Sequence, residues 1–172
     1  MSSPDVAVII ATKNRPGLLK QRALKSVSNQ SRLPNHLIVV DDSPKHVQRE
    51  NRLTLESLPP TAFQVHYLIN QRTPGASGAW NTAIDHLFSL QIKCFDSLFI
   101  AFLDDDDEWH PSYLEECLAV STTNHSNIVA TGFYRFESDV RAPIECLPPK
   151  SLNEDLFLRG NPGIQRSNLF LS

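Results

Sequence analysis

Leu98-Phe-Ile-Ala-Phe-Leu103 runs without a break into Asp104-Asp-Asp-Asp107. An apolar run of this length is too short for an ordinary helix and suits a strand buried on both faces, as in a parallel sheet. No apolar run in the chain is longer, which predicts a central strand. Other runs of the same kind lie upstream at Val6–Ala11 (VAVIIA) and His36–Val40 (HLIVV), and Val65–Ile69 (VHYLI) predicts a third strand ahead of Leu98. Helical patterns separate them. After Pro16 and Gly17, Leu19, Ala23 and Val27 recur at i, i+4 and i+8, with Lys20, Arg22 and Lys25 on other faces, predicting an amphipathic helix that starts near its proline. Val47–Leu58 predicts a polar surface helix ended by Pro59 and Pro60. Ala79–Leu90 predicts a helix with Ala83, Leu87 and Leu90 on one face, and Pro111 opens another with Leu114, Cys117 and Leu118 inward. Ile128–Phe136 predicts one more strand, and prolines 143, 148 and 149 an irregular connection.

Strands alternating with helices imply right-handed crossovers, hence an α/β domain with a mainly parallel sheet and helices on both faces. Ligands of such sheets sit at the carboxyl ends of the strands. That rule selects Thr12–Arg15, Asp41–Ser43, Asn70–Gly78 and Asp104–Glu108, and the unusual chemistry of the chain lies in these loops.

Bulk composition narrows the partners. The 172 residues, 41% hydrophobic, suffice for one domain with a substantial core. Sixteen basic against nineteen acidic residues give a net charge of −3, which supplies no overall basic field for nucleic acid or an anionic membrane. No stretch approaches the roughly 20 apolar residues of a membrane span, and the first residues do not read as a secretory signal. Cys94, Cys117 and Cys146 are odd in number and widely spaced, so they read as reduced thiols of a cytoplasmic protein.

Asp104–Asp107 can be a solvated acidic loop favouring the start of the following helix. Their mutual repulsion is better relieved by a hard divalent cation, Mg2+ or Mn2+, which binds through one or two carboxylates plus phosphate oxygens. Asp41 and Asp42 can hold a ribose hydroxyl or a base N–H, or simply form an Asx turn into Pro44. Gly75, Ser77 and Gly78 let the backbone approach a phosphate, or cap a helix. Arg72 can pair with a phosphate or base, or face solvent. The six histidines are scattered and show no metal-ligand spacing.

VAVIIATKN, HLIVVDDS, PGASGAWNTAI and FLDDDDEWHP, in this order and spacing, resemble family 2 glycosyltransferases; the likeness runs from about Val6 to the end of the chain, including GNPGIQRSNLFLS. The resemblance implies a Rossmann-like GT-A fold, a nucleotide-sugar donor, and a saccharide or lipid-linked acceptor. It implies that Ala11, Thr12, Lys13 and Asp42 hold the base, commonly uracil. Asp104 and Asp106 match the outer members of the family's DxD motif, with Asp105 between them; Asp106 would be the direct ligand of Mn2+ or Mg2+, and Asp104 and Asp105 would bind the donor near its ribose and the ion's water shell. Arg72 and Gly75 join this donor-binding set. The cation would neutralise the departing nucleoside diphosphate while an acceptor hydroxyl attacks with inversion. Residues 1–110 would form the donor part of a single domain and residues 111–172 part of its acceptor side.

Family members place a general base on a helix after an SNLFL-like strand, so this base is expected beyond Ser172. A non-catalytic nucleotide-sugar-binding module is therefore the alternative function. A sugar-nucleotide pyrophosphorylase is a distant third, because ATKNRPG lacks the glycine-rich basic loop of that class. An apolar strand at Leu169–Leu171 with nothing after it to cover it predicts self-association through that strand or disorder near the C-terminus.

Overall fold

The computed structural model describes residues 4–59, 62–90, 98–137, 142–151, 154–159 and 163–172. Strands β1 (Asp5–Thr12), β2 (His36–Asp41), β3 (Gln64–Ile69) and β4 (Leu98–Asp104) are followed by β5 (Ile128–Ala130), β6 (Phe133–Arg135), β7 (Ile144–Cys146) and β8 (Leu169–Leu171). The main sheet has six strands in the order β3-β2-β1-β4-β8-β5. β1 to β4 are mutually parallel, and β8 runs antiparallel to both its neighbours. β1 explains the continuous apolar runs: Val6, Val8 and Ile10 enter one core and Ala7 and Ile9 the other, and all five are fully buried.

The first core lies under the helix that begins at Pro16, under α3 (Lys45–Glu56) and under α5 (Tyr113–Asn124). That first helix comprises α1 (Pro16–Leu18), a π-helical stretch (Leu19–Leu24) and α2 (Lys25–Ser28). Leu19, Ala23 and Val27 are fully buried, as their spacing predicts. The second core lies under α4 (Ala76–Ser89), which buries Ala79, Ala83 and Leu87. A short α6 (Glu154–Arg159) precedes a 3-10 turn at Arg166–Asn168.

Two expectations need correction. Ile128–Phe136 is two strands: β5 joins the main sheet, and β6 pairs with β7 in a separate hairpin. The break falls at Gly132, where an added Cβ would sit 2.9 Å from the Leu147 side chain and 3.2 Å from the Cys146 carbonyl. The backbone therefore closes on the hairpin where a continuous strand would not fit. Second, Leu169–Leu171 is no open edge. β8 is inserted between β4 and β5, and Phe170, 1% exposed, stacks on Phe99 with ring centroids 5.2 Å apart. The premise for association of copies through this strand is removed. Among the described cysteines, Cys117 is buried and Cys146 half-buried, both free; Cys94 lies outside the described residues. No described helix is long and apolar enough to cross a membrane.

At the other edge of the sheet, three histidines missed as a group form a chain. His36 Nδ1 lies 3.4 Å from His66 Nε2, and His66 Nδ1 lies 3.0 Å from His86 Nε2, tying β2, β3 and α4. Burial lowers the pKa of His36, opposed by Asp5 and aided by His86; burial lowers that of His66 also, aided by His86 and His36. Each N···N contact needs one proton and one lone pair, which neutral rings supply. The unfolded chain takes up protons near pH 6.5, before the folded one, so this contribution to stability is present above that pH and lost as the pH falls below it. The drop in melting temperature from pH 7.5 to 5.5 is expected to be smaller in His66→Gln, whose amide can donate and accept without titrating. Parallel pH profiles in a calorimetric scan would contradict this.

Candidate active site

The chain lays β1, β2 and β3 outward in one direction, then returns to place β4 on the other side of β1. The reversal opens a crevice at the carboxyl ends of β1 and β4, the position where open α/β sheets bind ligands. In register, Thr12 lies beside Asp41 and Ala11 beside Asp104. The predicted loops therefore emerge side by side along one edge.

Strand alternation divides the carboxylates of this edge. Leu37 and Val39 face the α3 core, and Asp41 continues that face. It is fully buried, with Oδ1 accepting from the Ser43 amide (2.8 Å) and Oδ2 from Asn51 Nδ2 (2.7 Å) and the Tyr67 hydroxyl (2.7 Å). Burial and the neighbouring Asp41 carboxylate push the Tyr67 phenol far up, so the hydroxyl stays a donor. Asp41 thus locks β2, β3 and α3 together. Asp42 turns to the opposite side. Its carboxylate accepts from Lys13 Nζ (2.9 Å), Asn70 Nδ2 (2.8 Å) and the Gly75 amide (2.9 Å). Burial raises its pKa, but the hydrogen bonds from Asn70, Lys13 and Gly75 outweigh this and leave it lowered. One ionised carboxylate therefore gathers the loops after β1, β2 and β3.

The same division holds in the acidic run. Asp105 follows Leu103 onto the α5 side and is fully buried. It accepts from Thr12 Oγ1 at 2.8 Å and pairs with Arg15 Nη2 at 2.6 Å. Asp106, 41% exposed, also pairs with Arg15, while Arg22 Nη1, from the π-helical stretch, reaches its carbonyl at 2.8 Å. Asp104 turns to the α4 side, where its Oδ1 lies 3.5 Å from Arg166 Nη1. Asp107 accepts from Ser167 Oγ at 2.6 Å, and Ser167 Oγ in turn accepts from the Asp104 amide at 3.0 Å. The turn before β8 is thereby fastened under the acidic loop.

The loop into α4 depends on its glycines. Gly75 has φ +119°, a left-handed value that disfavours other residues. A Cβ on Gly78 would lie 1.8 Å from the Thr73 carbonyl oxygen. Arg72 is engaged by Asp85 of α4, its Nη2 at 2.6 Å from the carboxylate. Of the anticipated residues, Ala11, Thr12, Lys13, Asp42 and Gly75 meet Asp104–Asp106 along this edge, whereas Arg72 is turned to a helix. The sequence analysis placed Arg15, Ser43 and Asn70 in the selected loops without giving them a role, and gave none to Arg166. Asn70, directly after a strand and before a Thr-Pro-Gly turn, carried the clearest overlooked signal.

The donor set fits a hard divalent cation. Among the described residues no three His, Cys, Asp or Glu side chains converge as a metal cage. Mg2+ and Mn2+ need none, because substrate phosphates complete their shell. Burial raises the pKa of Asp104, with Asp107, Asp106 and Asp105 adding to the rise and Arg166 opposing it. A carboxylate crowded by like charges gains most from a nearby cation. Beside it lies an open cleft of about 350 Å3 lined by Asp104, Ile164, Gln165 and Arg166.

A mainly parallel sheet with a reversal at β1 and β4, and a carboxylate cluster at that reversal, defines an α/β domain with a ligand crevice at the carboxyl edge of its sheet. The chain belongs to glycosyl transferase family 2, whose profile matches residues 7–164. It is 37% identical over 108 residues to the succinoglycan biosynthesis protein ExoW of Rhizobium meliloti, covering 62% of this chain and 30% of that protein. It is 31% identical over 106 residues to the GalNAc(5)-diNAcBac-PP-undecaprenol beta-1,3-glucosyltransferase of Campylobacter jejuni, covering 61% of this chain and 30% of that one. The chain thus matches less than a third of either relative's length. Its fold is shared by solved structures that include the following two. The Pyrobaculum calidifontis mannosyltransferase PcManGT, in complex with GDP-Man and Mn2+, gives a TM-score of 0.60 at 20% identity over 76% of this chain and 36% of that one. S. aureus TarS 1–349 in complex with UDP-GlcNAc gives a TM-score of 0.60 at 20% identity over 97% of this chain and 45% of that one. The fold is accordingly GT-A, and the chain spans part of these larger proteins.

Proposed function

We propose that this chain binds a uridine diphosphate sugar with Mn2+ or Mg2+ and transfers the sugar, with inversion, to a hydroxyl of a saccharide or lipid-linked acceptor. The observation that carries the reading is the meeting of Asp42, Thr12 and Lys13 with Asp104–Asp106 across adjacent strand ends. Asp42 is held ionised, which suits it to accept the imide N–H of uracil. Asp105 anchors β4 to Thr12 and Arg15, so that its neighbours Asp104 and Asp106 are presented from a fixed backbone. These two would hold the cation, which supplies neutralisation of the developing diphosphate charge. Residues 1–110 form the donor part of the domain. The solved TarS complexes with UDP and UDP-GlcNAc favour a uridine donor, the PcManGT complex favours Mn2+, and the undecaprenol-linked substrate named for the Campylobacter relative favours a lipid-linked acceptor.

Chromatographic measurement of UDP released from a panel of UDP-sugars, with and without acceptor glycans, tests this. Release is expected only with Mn2+ or Mg2+. Asp106→Ala is expected to lower it at least about a hundredfold, in line with the several kcal/mol a catalytic cation contributes. Its apo melting temperature should move little, because its Arg15 partner is an exposed pair worth at most about 1 kcal/mol. Metal-independent release, or full release by Asp106→Ala, would refute the assignment.

A further inference from the structure

Arg166 is a guanidinium whose backbone is fixed and whose donors are, among the described residues, largely uncommitted. Its turn is closed by a reciprocal cap between Gln165 and Asn168. Asn168 Nδ2 also binds the carbonyls of Thr131 (2.7 Å) and Gly163 (3.0 Å), while Trp109 Nε1 donates to the Ser167 carbonyl at 2.6 Å. The side chain on this turn is held much more loosely. Its Nη1 stands 3.5 Å from Asp104 Oδ1, longer than the roughly 2.7–2.9 Å of a charge-assisted hydrogen bond. Its Cζ lies 4.9 Å from the centroid of the Trp80 ring on α4, a platform that orients a guanidinium without consuming its N–H groups. Trp80 is itself set edge-on against Phe102 of β4. Arg15 shows the contrast, since both its terminal nitrogens are taken by Asp105 and Asp106.

The sheet order gives Arg166 its place relative to a donor. Across the carboxyl edge the strands run β2, β1, β4, β8. β8 is antiparallel, so the turn before it lies at the same edge as the ends of β2, β1 and β4. Adjacent strands are about 4.8 Å apart, which separates Asp42 from the Arg166 turn by roughly 14 Å, a span suited to a nucleoside diphosphate. With the base at Asp42, the distal phosphate falls at the cleft that Arg166 lines with Asp104. We propose that Arg166, steadied on Trp80, is a binding residue for the distal phosphate of the donor. A planar fork with free donors is the side chain suited to grip phosphoryl oxygens bidentately. This rests on the nucleotide-sugar reading above.

Calorimetry in Mn2+ with UDP and with uridine monophosphate tests it. Arg166→Ala is expected to weaken UDP about ten- to thirtyfold, the scale of one charge-assisted hydrogen-bonding group, and to leave the monophosphate within about twofold. Arg166→Lys should fall between, since an ammonium supplies charge without the fork. UDP should also change the Trp80 emission of the native chain, and Arg166→Ala should abolish that change while Trp109→Phe preserves it. Equal weakening of both nucleotides, or undiminished UDP affinity in Arg166→Ala, would overturn the assignment. If the native chain binds UDP no better than the monophosphate in Mn2+, this assignment fails. If it binds neither, the nucleotide-sugar reading itself fails.

Discussion

Uridine diphosphate is expected to bind about a hundredfold more weakly in excess chelator than in Mn2+. The diphosphate must approach an edge carrying Asp104, Asp105, Asp106 and Asp107, and among the described residues only Arg15, Arg22 and Arg166 contact this run as cations. Arg15 is consumed by Asp105 and Asp106, which leaves Arg22 and Arg166 to face four carboxylates together with a ligand bearing two to three negative charges. A divalent ion shared between carboxylate and phosphate removes that repulsion, an effect of several kcal/mol, and about 3 kcal/mol corresponds to a hundredfold. Isothermal titration in Mn2+ and in chelator reads this directly. Equal affinities would show that the acidic run does not share a cation with the nucleotide.

The parts of the fold legible in the sequence were those whose signal is local. β1, β2 and β4 are buried on both faces, and a run such as VAVIIA carries that fact within itself. β8 was recognisable as a strand, but its place was not, because insertion between β4 and β5 is set by pairing with residues far away in the chain. The split of Ile128–Phe136 was equally hidden, since Gly132 is required only because the hairpin at Cys146 and Leu147 presses on it. At the site, the four loops could be chosen from strand order alone. The roles inside them depended on parity. Counting twos from Leu37 and Val39 puts Asp41 in the core and Asp42 outside, and counting from Ala101 and Leu103 does the same for Asp105 against Asp104. That signal was present in the sequence and would have marked Asp41 and Asp105 as structural ties. Arg166 was legible by neither route, because its meeting with Asp104 and Trp80 joins three distant segments.

Parity also makes a sharp expectation for the two carboxylates that sit side by side after β2. Asp41→Ala is expected to lower the melting temperature by about 10 °C, whereas Asp42→Asn should lower it by about 5 °C. In the first variant, the Ser43 amide, Asn51 Nδ2 and the Tyr67 hydroxyl lose their acceptor in a fully buried position. Each stranded donor costs about 1–3 kcal/mol, and breaking such a network costs roughly 3–5 kcal/mol in total. At about 2–4 °C per kcal/mol for a chain of this size, the shift is near 10 °C. In the second variant the amide keeps an oxygen for Asn70 and loses both contacts to the other oxygen, from the partly exposed Lys13 and from the Gly75 amide, worth about 1 kcal/mol each. Affinity should move the opposite way. Asp42→Asn is expected to weaken uridine nucleotides about tenfold, since an amide can present its own donor to the uracil imide and one hydrogen bond to a charged group is worth about 1.5–3 kcal/mol. Melting curves and UDP titrations on the same two proteins separate the roles. A stable Asp41→Ala protein would mean that the buried network does not hold β2, β3 and α3 together, and undiminished UDP affinity in Asp42→Asn would remove Asp42 from the base site.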